Sequence, residues 1–133
     1  MLKKGLTIIE IIVAITVFTI GVLGVAAFFG NSSRLAGAAG RISVASNLAQ
    51  GLIDQEVNKS YDSLTPGTGI KTNLSLENTN PFYQYQKQVD IILIDSNLAI
   101  SGTDIGLKKI IVTIYYNEGQ DEKNVQMATI KSK

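Results

Sequence analysis

The stretch GLTIIEIIVAITVFTIGVLGVAAFFG, residues 5–30, decides how this chain is read. From Ile11 to Phe29 it carries neither a charge nor a proline, and it comes close to the ~20 residues a helix needs to cross the hydrocarbon of a bilayer. One carboxylate, Glu10, stands at the start of the apolar run, just downstream of Lys3-Lys4-Gly5. A charge in such a segment is costly, by at least ~2.5 kcal/mol near the centre of a membrane helix. A chain that needed only an anchor would do better with leucine. Glu10 therefore asks for a partner.

Beyond this stretch the composition sets the limits. The chain has 133 residues, so with the first ~30 in lipid enough remains for one folded head with a modest core. Twelve basic and 11 acidic side chains give a net charge of +1. No block of like charge suggests a nucleic-acid surface, and no nucleic-acid partner is expected. The absence of cysteine excludes a disulfide framework and a thiolate metal site. The absence of histidine removes the commonest general base and metal ligand. The inventory points away from an enzyme, and no cofactor or metal is expected.

Three readings of the N-terminal segment compete. A signal anchor would keep Lys3 and Lys4 in the cytoplasm, but Arg34 and Arg41 on the far side nearly balance that bias. A secretory signal would be cut after small residues such as Ala26-Ala27; Glu10 and the helical pattern continuing past that point argue against it. The third reading uses every odd feature together. Met1-Leu2-Lys3-Lys4-Gly5 followed by Leu6-Thr7-Ile8-Ile9-Glu10 resembles the leader and cleavage site of type IV prepilins and related pseudopilins.

That resemblance implies cleavage between Gly5 and Leu6 by a dedicated membrane peptidase and methylation of the new Leu6 amine. It places Thr7 second and Glu10 fifth in the mature chain. Leu6 departs from the family's usual phenylalanine. The partners implied are other pilin or pseudopilin subunits, the prepilin peptidase, an inner-membrane assembly platform and membrane lipid. The implied location is a single pass through the inner membrane with the head outside the cytoplasm, and then a filament.

Residue chemistry supports the same picture. Glycine at the cut lets the peptide lie extended close to a protease's catalytic groups. An ammonium and a carboxylate in a low-dielectric setting each cost several kcal/mol alone and far less when well paired. Glu10 of one subunit is thus expected to neutralise the Leu6 amine of a neighbour and set axial register. The alternative is that Glu10 reaches the headgroups or bonds to Thr7 of its own helix.

Past Phe29 helical periodicity persists with a different character. Leu35, Ala38, Ile42, Ala45, Ala49, Leu52 and Glu56 recur at three- and four-residue steps, and Leu48, Ile53 and Val57 widen the stripe. Gly21, Gly24, Gly30 and the Ala36-Gly37-Ala38-Ala39-Gly40 cluster lower helix propensity, so local melting around Gly21–Gly24 is a possibility the sequence leaves open. A helix to about Lys59 would be ~80 Å long at 1.5 Å per residue.

The head begins with a turn-rich region, Ser60 to Pro81, containing Pro66-Gly67, Gly69 and Asn80-Pro81. A short edge strand is expected near Thr72 to Leu76. Tyr83, Tyr85, Val89, Ile91 and Leu93 share one face of an extended segment, and Lys108 to Tyr116 alternates strongly. A polar turn at Asn117–Glu122 precedes a strand from Lys123 to Lys131. The expected fold is α+β: a long N-terminal helix, apolar then amphipathic, on a three- to four-stranded antiparallel sheet. The segments are a leader (1–5), a transmembrane or filament-core helix (6–29), an amphipathic helix (30–59), a variable loop (60–81) and a β-sheet head (82–133). Asp95, Asn97 and Asp104 match no calcium-loop spacing and read as turn residues. The five tyrosines lack the basic track of a single-strand nucleic-acid platform and read as packing.

Short length, no cysteine pair and no calcium loop favour a minor pilin subunit. The alternatives are a minor pseudopilin of a type II secretion system and a membrane-anchored binding module that does not polymerise.

Overall fold

A computed structural model describes residues 7–133. Helix α1 runs from Ile8 to Asn58 and is unbroken through Gly21, Gly24 and Gly30. A 3-10 turn follows at Tyr61–Ser63. Four strands complete the chain: β1 (Thr72–Asn73), β2 (Gln86–Leu93), β3 (Leu107–Glu118) and β4 (Asp121–Ser132). They form one antiparallel sheet in the order β1-β2-β3-β4. The fold is α+β, a long N-terminal helix packed with a four-stranded antiparallel sheet.

Strand register sorts the side chains by parity. Val89, Ile91, Ile110, Val112, Ile114, Tyr116, Val125 and Met127 meet on one face, through pairs such as Val89↔Val112 and Val112↔Met127. Helix α1 supplies Ala45, Ala49, Leu52 and Ile53 to the same core, with Leu64 and Tyr85 closing it. Ala45 and Ala49 are fully buried; their small side chains let the helix backbone approach the sheet. Each fully buried Val, Leu or Ile contributes roughly 1.5–3 kcal/mol, so this cluster is the main source of head stability.

The apolar stripe is used over less of the helix than its periodicity suggests. Leu35 is 71% exposed and Ile42 47%, whereas the buried helix positions run only from Ala45 to Ile53. The sheet has sequence to cover just those turns. The chain divides into units Met1–Ala39 and Gly40–Lys133. The hydropathy change at Phe29 and the packing boundary therefore fall at different places along the helix.

Two strand ends also differ from the alternation. Tyr83 lies before β2, in a turn where Asn80 Oδ1 accepts from Phe82 N at 2.9 Å and Asn80 O accepts from Tyr83 N at 3.0 Å. The asparagine side chain competes with the strand ladder for the backbone. Between β3 and β4 the expected six-residue turn shrinks to Gly119-Gln120, because Glu118 already pairs with Asp121. Gly119 holds φ +67°, the conformation that a type II′ hairpin requires at its first central position.

Candidate functional site

The start of α1 assembles two of the residues singled out from the sequence. Thr7 N and Thr7 Oγ1 both donate to Glu10 Oε2 at 2.9 Å, and Glu10 N donates to Thr7 Oγ1 at 3.3 Å. Threonine followed three residues later by glutamate is a capping box, in which each side chain satisfies a backbone donor that the first helical turn leaves open. Both contacts end on Oε2, and Glu10 Oε1 accepts no bond among the described residues. Gly5 and Leu6, the expected cleavage and methylation positions, lie outside the described residues.

Below this cap the helix presents apolar side chains in every direction. Ile8, Val17, Phe18, Leu23, Phe28 and Phe29 are each at least 64% exposed. An 18-residue window of this helix has a mean hydropathy of 2.6 and none of it is buried. The span from Ile8 to Phe29 is about 33 Å at 1.5 Å per residue, against a hydrocarbon thickness of ~30 Å. Thr16 and Thr19 donate their hydroxyls to Ile12 O at 2.8 Å and Ile15 O at 2.7 Å, so neither adds an unpaired polar group in an apolar solvent. This is one candidate membrane-spanning helix near the N-terminus, as a single-pass membrane protein has.

The head uses lysines in places that hydropathy does not flag. Lys108, 4% exposed, donates to Tyr61 O at 3.0 Å and Leu64 O at 2.8 Å. Its ammonium lies 4.0 Å from the Tyr61 ring centroid and 3.9 Å from Asp104 Oδ2. Lys131, its register partner on β4, donates to Val57 O and to Lys59 O, the latter at 2.5 Å. The last turn of α1 has no basic residue of its own, so two lysines from the sheet hold the chain where the helix ends. Their signal was parity: Lys108 shares the even-numbered face of Ile110, Val112 and Ile114.

Asp104 serves the same junction. Its Oδ1 accepts from Tyr61 OH at 2.5 Å and from Gly106 N at 2.8 Å. The Tyr61 hydrogen bond, then the Gly106 amide, hold its carboxyl below the usual carboxylate range. Burial first, and then Asp104, push the Tyr61 phenol up to about 12. Asp95 Oδ1 accepts from Asn97 N at 2.8 Å and from Ala99 N at 2.9 Å. Both carboxylates are thus turn and packing elements, and no cluster of three potential metal ligands occurs among the described residues.

The tyrosines do not form one platform. Tyr61 packs with Lys108, and Tyr85 is buried 6.2 Å from the ring of Tyr116. Tyr83, Tyr115 and Tyr116 line a cleft of about 310 Å³ at the end of the sheet where β2 begins and β3 ends. Comparison with protein-family models, with curated proteins and with solved structures returns no match to this chain.

Proposed function

We propose that the chain is a minor pilin-type subunit: anchored in the inner membrane by α1, processed between Gly5 and Leu6, and assembled into a type IV pilus or its tip. One observation carries the reading. A helix apolar on all sides begins with a carboxylate whose Oε1 accepts no bond among the described residues while Oε2 serves the Thr7 cap. A carboxylate has about four acceptor sites, so capping its own helix leaves room for the Leu6 amine of a neighbouring subunit. In a filament, the apolar face of α1 would exchange lipid for the helices of other subunits.

The cap also favours a second reading. It gives Glu10 a role within its own helix, so an anchored binding module needs no partner for it. Three variants separate these. Glu10→Gln keeps the capping pattern, which accepts Glu or Gln, but removes the charge. Thr7→Ala keeps the charge and weakens the cap by about 0.5–2 kcal/mol. Glu10→Leu removes both functions. Filament assembly lost in Glu10→Gln and retained in Thr7→Ala supports charge pairing between subunits. Normal assembly in Glu10→Gln would overturn it. Intact mass after coexpression with a prepilin peptidase tests processing, and any N-terminus other than methylated Leu6 refutes that step.

A further inference from the structure

The cleft at the end of the sheet is chemically uniform. Among the described residues, every side chain lining it is a tyrosine, an amide or a carboxylate, and none is aliphatic. Its volume, about 310 Å³, lies at the lower end of the ~300–1,000 Å³ typical of small-molecule sites. We propose that this cleft binds a neutral saccharide, through tyrosine faces and a fixed set of amide donors and acceptors.

Charge comes first. Glu122 is the one acidic group lining the cleft among the described residues, and Lys71 Nζ sits 2.5 Å from its Oε1. The same ammonium lies 4.1 Å from the Tyr115 ring centroid. No cationic side chain lines the cleft among the described residues, and the ammonium of Lys71 is paired with its carboxylate, so the lining itself offers a charged ligand no free counter-ion. Hydroxyl groups, by contrast, can still bond to the remaining acceptor positions of a paired carboxylate.

The amides are already positioned. Gln86 Nε2 donates to Asn73 Oδ1 at 2.8 Å, which fixes both side chains across the β1–β2 register pair. Gln86 Oε1 and the Asn73 amide nitrogen make no other bond among the described residues. An adjacent acceptor and donor of this kind suit the alternating donor and acceptor roles of neighbouring sugar hydroxyls. Asn117 adds an exposed amide with no side-chain partner among the described residues. Pre-formed groups reduce the ordering cost that weakens binding of polar ligands.

The aromatic wall supplies the rest. Tyr83 is 45% exposed and carries an apolar ring with a polar tip. A pyranose presents C–H groups on its faces and hydroxyls on its rim, so it can use ring and amides together. An aliphatic ligand would leave the amides and carboxylate unpaired, at a desolvation cost of about 1–3 kcal/mol for each buried group.

The test uses the full chain in lipid nanodiscs, avoiding glycoside detergents that would occupy the cleft. Saturation-transfer NMR and tyrosine fluorescence are recorded with the N-acetylglucosamine trimer and with maltotriose, at up to about 10 mM. The deacetylated, cationic glucosamine trimer and an anionic sialyl trisaccharide are the comparators. The expected result is binding of at least one neutral probe, weakened about tenfold or more by Tyr83→Ala and by Asn117→Ala. Charged comparators should bind about tenfold more weakly. Preference between the two neutral probes distinguishes an N-acetylated polymer from a plain hexose as the source. No transfer to either neutral probe, binding indifferent to both substitutions, or preference for a charged comparator overturns the proposal. Both substituted residues are exposed, and the circular dichroism of each variant should match that of the parent. The experiment needs no filament, so its failure leaves the assembly reading untouched.

Discussion

Replacing Lys108 with methionine keeps most of the aliphatic stem and removes a buried ammonium that joins the Tyr61–Leu64 segment after α1 to the sheet. The ammonium makes two charge-assisted bonds, to Tyr61 O at 3.0 Å and Leu64 O at 2.8 Å. Each such bond is worth about 1.5–3 kcal/mol net, and the contact with the Tyr61 ring adds about 0.5–2 kcal/mol. Against this, the variant no longer desolvates a charge, a cost of several kcal/mol per buried ion. The Leu64 carbonyl is left without its donor, however, while Tyr61 O keeps the Leu64 N–H at 3.2 Å, which restores part of the loss. The expected net effect is about 2–4 kcal/mol, a large share of the ~5–15 kcal/mol of a typical domain. Lys131→Met removes solvent-exposed contacts and should cost only about 0.5–1 kcal/mol. The assay is urea unfolding of the head in nanodisc-held protein, followed by tyrosine fluorescence, with amide exchange at Ser60–Leu64 as a local readout. A loss below about 1 kcal/mol for Lys108→Met, or a larger loss for Lys131→Met, would refute the clamp.

Tyr61 and Asp104 give the same junction a pH dependence. The phenol is raised to about 12, so its contribution is complete below the ordinary tyrosine value near 10 and is lost as pH rises towards 12. Alkaline titration of tyrosinate absorbance should show a late-ionising group that disappears in Tyr61→Phe. The lowered Asp104 carboxyl contributes above the ordinary value near 3.9, and that stability is lost as pH falls through the native value; Asp104→Asn should flatten the acid limb of a stability profile. A Cβ at Gly69 would lie 2.2 Å from Val89 O. Gly69→Ala is therefore expected to detach the segment that pairs with β2 through Gly67 and Ile91, costing about 1–3 kcal/mol and exposing the amides of β2 to exchange. Unchanged exchange there would contradict the close approach.

Local pattern made much of the architecture legible. An uncharged run from Ile11 to Phe29 needs only composition to be recognised as a bilayer-length helix. Alternation in Ile110–Tyr116 and the glycine between Glu118 and Gln120 are likewise encoded within a few residues, so the hairpin and its core face follow from the chain itself. Glu10 stood out because it breaks the apolar pattern, and Thr7 sits at the spacing a cap requires.

Other features depend on residues far apart in sequence, and there the tertiary structure decided. Lys131 meets the end of α1, and Lys108 the 3-10 turn that follows it, only because β3 and β4 pair in one register and their core face turns towards the helix. Leu35 and Ile42 carry the same periodic signal as Ala45 and Leu52 but remain exposed, because periodicity marks a face without saying how much sheet exists to cover it. The cleft gathers Asn73, Gln86, Asn117 and Glu122 from four segments, none of which forms a motif alone. By itself the sequence determined the elements, their polarity and the anomaly at Glu10. Which side chains converge was decided by strand register and packing, since both are set by contacts between segments rather than by spacing along the chain.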